Sequence, residues 1–295
     1  MSERKMKKPS ADGRVGGGKT YKHVLIAMAV IFGIYAFTLL FPFVWLLINS
    51  LKTKFDFFDN GSLALPQKYT LENYSEVFSV FPMAEMFFNS VLLSTLIPTA
   101  SVLFGTFTAY ALAMFEFPGK RTVFWINIVV MSVSIQGRDA AMVQLYTQWK
   151  LMDTLFGMLF KYTMSFGFGT LFSMAMFKTV SGAYREAALI DGASEFTILF
   201  RIFIPVVLPL LMANWALSFI GNWNDFAGPY IFYSSHQTIA TGIKYISDNI
   251  GTGIYQLDYP KLYAAMLIAV VPVIAVYAAF QKPILNRHLG GGVKG

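Results

Sequence analysis

The run HVLIAMAVIFGIYAFTLLFPFVWLLI, residues 23–48, carries no charge after His23. A helix that long and that apolar fits a lipid bilayer, whose hydrocarbon core is about 30 Å thick and takes about 20 apolar residues. The run lacks a small-residue cleavage site at its end and is too long for a signal-peptide core, so it reads as a retained span. Comparable windows fall at residues 89–114, 123–146, 155–177, 202–220 and 262–280. Strand-type alternation is absent at these lengths, which argues against a barrel. The expected fold is an all-α integral membrane protein with six transmembrane helices.

Composition narrows the function classes. Hydrophobic residues make up 56% and charged residues 13%, against about 45–50% and about 25% in soluble domains. So little charge cannot cover a globule of this size, which excludes an ordinary soluble enzyme and a disordered chain. Cys is absent, which removes disulfides, thiolate chemistry and Cys-based metal sites. His23, His236 and His288 lie too far apart in sequence for a His-rich metal site. No Ser–His pairing suggests a membrane-embedded enzyme.

Orientation follows from Lys and Arg in the short loops. With the N-terminus inside, the cytoplasmic set is Arg4, Lys5, Lys7, Lys8, Arg14, Lys19, Lys22, Lys120, Arg121, Lys178, Arg185, Arg201, Lys282, Arg287 and Lys294. The external set is only Lys52, Lys54, Lys68, Lys150, Lys244 and Lys261. Both termini are therefore expected inside, and the net charge of +7 is a topology signal rather than a sign of nucleic-acid binding. The chain divides into a basic cytoplasmic tail (1–20), a six-helix membrane domain (21–288) and a cytoplasmic C-terminal tail (289–295). The longest external segments are 49–88 and 223–261.

The inside loop 178–201 differs from the short turns elsewhere. Tyr184 to Ile190 are good helix formers, Gly192 stops the helix, and Ser194 with Glu195 can cap and open a second one. Apolar Ala187, Ala188, Ile190, Phe196 and Leu199 alternate with Arg185, Glu186, Asp191 and Glu195. Such a pair of short helices at a membrane surface can dock into a groove on a soluble partner.

Glu186-Ala187-Ala188, three residues, Gly192, nine residues, Ile202 and then Pro205 resembles the EAA loop of ABC importer permeases. Ile204 stands where that motif usually has Leu. The resemblance extends along most of the chain and is to the maltose-type sugar permeases in particular. It rests on Asn49-Ser50-Leu51-Lys52-Thr53, Asn89-Ser90, Ala109-Tyr110-Ala111-Leu112-Ala113, Phe117-Pro118-Gly119-Lys120, Trp223-Asn224-Asp225-Phe226 and Gly292-Val293-Lys294-Gly295. The third span departs, with Gln136-Gly137-Arg138-Asp139 and Met142-Val143 where many relatives carry prolines.

The resemblance implies a bacterial inner-membrane permease that pairs with a second homologous permease, two ATP-binding-cassette ATPase subunits and an extracytoplasmic solute-binding protein. ATP and Mg would sit in the ATPases, with no cofactor or metal in this chain. The glycine run ending at Lys19-Thr20 echoes a phosphate loop but follows no buried strand. Arg185, Glu186, Ala187, Ala188, Asp191 and Gly192 are the expected ATPase-coupling residues. Glu186 is the leading polar contact, while Arg185 and Asp191 pair with the ATPase or with each other. The C-terminal tail can reach the ATPase surface.

For the substrate path, the charges inside spans are the strongest clue, because an ionisable group in a membrane is usually paired or lines a cavity. Arg138 and Asp139 are adjacent and point about 100° apart on a helix, so they do not simply cancel. Lys161 has no acidic neighbour in its own span. Two cations against one anion predict a basic path for an anionic saccharide such as a uronic-acid oligosaccharide. In the bland reading Lys161 snorkels outward and Arg138 pairs with Asp139 or with the partner permease. Trp223, Asn224 and Asp225 are further path candidates, although Trp223 would serve equally as an interfacial anchor. Asn49 and Asn89 read as helix caps or ligand contacts. The rival functions are an ABC permease for a non-sugar solute and an ion-coupled secondary transporter, which normally carries inverted repeats.

Overall fold

The computed structural model describes residues 19–132, 138–163, 167–251 and 258–285. Among them every regular element is helical. In chain order these are α1 (Lys19–Ser50), α2 (Lys54–Asn60), α3 (Glu72–Val80), α4 (Met83–Met114), α5 (Lys120–Ser132), α6 (Arg138–Gln148) and α7 (Leu155–Thr163). Then follow α8 (Phe168–Thr179), α9 (Gly182–Ile190), α10 (Glu195–Ile198), α11 (Ile204–Trp223), α12 (Ala227–Phe232), α13 (Ile239–Asp248) and α14 (Tyr259–Leu285). A π-helical turn, Leu199–Phe203, joins α10 to α11.

Four continuous helical segments are long and apolar enough to cross a membrane: Lys22–Ser50, Met83–Met114, Glu195–Trp223 and Tyr259–Gln281. The expected third span holds α5 and α6, and residues 133–137 between them lie outside the described residues. The expected fourth span holds α7 and α8, and Gly167, with an extended backbone, precedes the first residue of α8. Gln136 and Gly137, the N-terminal tail before Lys19 and the C-terminal tail 286–295 lie outside the described residues. Residues 13–20, GRVGGGKT, do complete the letter spacing of a phosphate loop. Lys19 and Thr20, however, open the long apolar α1 rather than a helix fed by a β-strand.

The bundle is organised around α4, which packs against α7, α8, α11 and α13. α14 joins from the far side of α11 and also holds α1, α2, α3 and α13. α1 packs chiefly on α14 and leaves an apolar surface from Val24 to Leu47 exposed. Hydrocarbon is as apolar as that surface, so exposure there costs nothing in a bilayer.

At the end holding the N-terminus of α4, the loops are stitched by side chains that bond backbone. Asn89 Nδ2 donates to the Gln237 carbonyl at 3.0 Å, and Ser90 Oγ accepts from the Ile239 N–H at 2.8 Å. Asn73 Nδ2 donates to the carbonyls of Ser50 (2.8 Å) and Lys52 (2.7 Å). Lys52, fully buried, donates to the Gly61 carbonyl at 2.8 Å. Asn49 returns to the Trp45 carbonyl at 2.8 Å. Lys52 and Asn89 therefore make backbone contacts that hold the loops, while Asn49 bonds within α1.

The same end carries an acid-sensitive tie. Asp153 accepts from the Ser235 N–H (2.8 Å), the Ser235 hydroxyl (2.7 Å) and the Ser234 hydroxyl (3.4 Å). Burial alone would push its carboxyl up, but these donors and nearby His236 outweigh it and hold its pKa below the ordinary value. A lowered folded pKa contributes stability in full above the unfolded value of about 3.9 and loses it as pH falls through the folded one. Melting curves in detergent should therefore show Asp153→Asn below wild type at pH 6. The gap should close as pH drops below about 4.

Candidate coupling and transport sites

The segment between α8 and α11 is built from caps. Ser181 accepts from the Ala183 N–H to open α9. At its end Ala193 N–H bonds the Ala188 carbonyl at 2.9 Å and Gly192 N–H bonds the Leu189 carbonyl at 3.0 Å. These two bonds form a Schellman closure, which needs a left-handed residue, and Gly192 supplies it at φ +80°. Ser194 then accepts from the Thr197 N–H to open α10. Glycine is required at 192 by conformation, since a Cβ there would meet open space.

The two short helices are clamped together by charge. Arg185 Nη2 donates to Glu195 Oε1, and Arg185 Nε donates to Oε2 at 3.2 Å. Tyr110, from α4, donates its hydroxyl to Oε2 at 3.0 Å. The hydrogen bonds to Glu195 raise the Arg185 pKa above its already high ordinary value. The guanidinium also lies 5.0 Å from the Phe115 ring centroid. Tyr110 is itself buried edge-on against Phe177 (5.6 Å) and Phe203 (5.3 Å). Arg185 is therefore committed to Glu195 and forms no pair with Asp191. Linear spacing hides this partner, because ten residues and the Gly192 turn separate the two. Glu186, Ala187, Asp191 and Gly192 are left exposed, and Ala188 is half-buried. Around them Tyr184, Ile190 and Phe196 present apolar surface, Ile190 at 86% exposure.

Pro205 explains the turn that follows. It has no N–H to give the Arg201 carbonyl, and its ring crowds that carbonyl. The ladder slips by one residue, and the Ile204 N–H reaches the Leu199 carbonyl instead. The loop thus passes into α11 as one continuous helical segment, Glu195–Trp223.

Beyond the clamp, α4, α8 and α11, with Thr163 of α7, line a half-open cavity of about 490 Å³. Ser101 and Thr108 line it from α4, Thr170 and Ser173 from α8, and Asn214 and Ser218 from α11. Among the described residues no charged side chain reaches it. These residues were missed by sequence reasoning. Their signal was available as polar residues at helical intervals on spans that are otherwise apolar: Ser101 seven before Thr108, Thr170 three before Ser173, and Asn214 four before Ser218.

The predicted path charges gather elsewhere, where α6, α7 and α12 meet. Lys161 Nζ pairs with Asp139 Oδ1 at 3.1 Å, its side chain only 8% exposed, and lies 3.8 Å from the Phe232 ring centroid. Lys161 is thus neither unpaired nor snorkelling. Asp139 takes Lys161 rather than Arg138, which is exposed and makes no ion pair among the described residues. The basic path loses one of its two cations. Tyr162 donates to Asp225 Oδ2, and Asp225 Oδ1 accepts from the Gly228 N–H at 3.1 Å. A Cβ at Gly228 would overlap the Tyr162 hydroxyl, so glycine is what lets the three meet. Trp223 does not join them. It is buried, stacks on Phe219 at 5.9 Å and donates its indole N–H to the Ala269 carbonyl at 3.0 Å. Asn224 is exposed and bonds back to the Ile220 carbonyl at 2.8 Å.

The family described as binding-protein-dependent transport system inner membrane component matches residues 13–288. The chain belongs to this family. It is therefore an inner-membrane transport subunit and not itself an enzyme. It is 29% identical to the diacetylchitobiose uptake system permease protein of Streptomyces coelicolor, over 82% of this chain and 80% of that one. It is 26% identical to the sulfoquinovosyl glycerol transport system permease protein of Agrobacterium fabrum, over 87% and 89%. Its fold matches a chain of a bacterial ABC transporter involved in import of the acidic polysaccharide alginate. That match has a TM-score of 0.78 at 21% identity, over 90% of this chain and 98% of that one.

The clamp makes a measurable claim. A double-mutant cycle of Arg185→Ala and Glu195→Gln, read by thermal melting, should give a coupling energy of about 1–2 kcal/mol.

Proposed function

We propose that this chain is one half of the translocation path of an ATP-driven importer for an oligosaccharide. The observation that carries the proposal is the shared wall. The helices that seat the α9–α10 loop through Tyr110, Phe177 and Phe203 are α4, α8 and the segment leading into α11. The same helices line the half-open cavity. Displacement of the loop by a partner would move the cavity wall directly, as a packed rigid body rather than through a flexible hinge.

In this reading the chain crosses the bilayer six times, as α1, α4, α5 with α6, α7 with α8, α11 and α14. Both termini and the α9–α10 loop face the ATPases. Two ATP-binding-cassette subunits hold ATP and Mg, a second homologous permease completes the path, and a solute-binding protein delivers at the opposite end. Glu186 and Asp191 meet the ATPase surface, with Ile190 and Phe196 entering its groove. Closure of the ATPases then favours one of two membrane conformers by differential affinity.

A carbohydrate is supported by the cavity chemistry and by the relatives. Ser and Thr hydroxyls and the Asn214 amide both donate and accept, which matches the hydroxyls of a sugar. Its relatives include permeases of arabinooligosaccharide and diacetylchitobiose uptake systems. An acidic saccharide would now have Arg138 as its cation, since Lys161 is paired with Asp139.

Tagged chain purified from membranes should bring with it a second permease and an ATPase. Proteoliposome uptake should fall at least about tenfold with Glu186→Lys, which reverses the charge at the docking face. Isolation of the chain alone, with uptake driven by an ion gradient, would sink the reading in favour of a secondary transporter. Arg138→Gln should lower uptake of an acidic saccharide more than of a neutral one. Equal effects on both would remove the acidic class and leave the neutral one standing.

A further inference from the structure

The Phe117-Pro118-Gly119-Lys120 motif has no part in the clamp or the cavity described above, yet it forms one wall of a second cavity. This one is about 410 Å³ and lies where the C-terminal ends of α4 and α8 meet the N-terminus of α5. Its lining has two halves. One is cationic, with Lys120, Arg121 and Lys178; the other is apolar, with Leu112, Phe117 and Phe124. Glu116 neutralises Lys120 through a 2.8 Å ion pair. Arg121 and Lys178 are exposed and form no ion pair among the described residues, so the cavity keeps an excess of positive charge. Trp125, one turn along α5, is exposed at 53%, and Trp is favoured where a helix meets the lipid headgroups.

We infer that this cavity binds the phosphate headgroup of an anionic phospholipid, with an acyl chain laid along Phe117 and Phe124. A free phosphate shares the headgroup chemistry but has no use for the apolar half. Basic cavities between membrane helices on the inner face are suited to such headgroups, and each cation near the surface adds attraction. The inference rests on the inner-face placement proposed for the α9–α10 loop. Phe115, which precedes Glu116, packs at 5.8 Å from Tyr110 and lies beneath Arg185.

The test is native mass spectrometry of the assembled transporter released from nanodiscs containing equal phosphatidylglycerol and phosphatidylcholine. Wild type should retain phosphatidylglycerol preferentially, and R121Q/K178Q should retain it roughly tenfold less. The control K68Q/K150Q, with cations lost from the other end, should match wild type. Equal retention by R121Q/K178Q and wild type would overturn the proposal. Displacement of the lipid by millimolar inorganic phosphate would overturn it in favour of a free-anion site. Both variant residues are exposed, and unchanged melting curves would exclude misfolding. ATP-driven uptake in pure phosphatidylcholine, which R121Q/K178Q should leave intact, reports separately on the importer reading.

Discussion

Hydrocarbon offers no hydrogen-bond partner, and the rest of this structure follows from that. Every backbone group within the bilayer has to be satisfied inside its own helix, which is why every regular element among the described residues is a helix. Side chains obey the same rule. Lys161 finds Asp139, and Tyr162 finds Asp225 across a glycine that permits the approach. Where polar side chains gather without such pairs, as along the inner faces of α4, α8 and α11, the helices leave a cavity. In the proposed function that hydroxyl-lined cavity is where a hydrated solute exchanges its water for protein contacts.

In the proposed importer, force has to reach that cavity from outside the membrane. A flexible loop would dissipate it. The α9–α10 segment is instead closed by a Schellman turn, clamped by Arg185 and Glu195, and bonded to α4 through Tyr110. The Pro205 slip into a π-helical turn keeps it continuous with α11. Charge holds the segment together on its inner side while its outer side stays free, with Glu186, Asp191 and Ile190 exposed. One segment thus has a fixed face and an exposed face.

The division between span and loop was legible because it depends on local composition. A run of uncharged apolar residues can satisfy its backbone only as a helix in lipid, whatever surrounds it. The windows at 23–48, 89–114, 202–220 and 262–280 fall on α1, α4, α11 and α14 for that reason. Caps were legible on the same grounds: Ser194 and Gly192 act within a few residues of themselves. The family resemblance rested on letters in order along the chain, and the family match over residues 13–288 agrees with it.

Partner choice was not legible, because it is decided by which helices become neighbours. Arg185 had three acidic residues near it in sequence, and the Gly192 turn brought Glu195 to it. Asp139 had Arg138 beside it, but adjacent residues on a helix diverge, and packing supplied Lys161 from α7 instead. Trp223 lies in a motif with Asp225, yet the helix turns its ring into the core against Phe219 and Ala269. The sequence by itself determined that this chain lives in a membrane, where its long helices run and where its capped loop sits. Only the tertiary structure decided which charges cancel and which polar faces meet to line a cavity, because both depend on contacts between residues far apart in the chain.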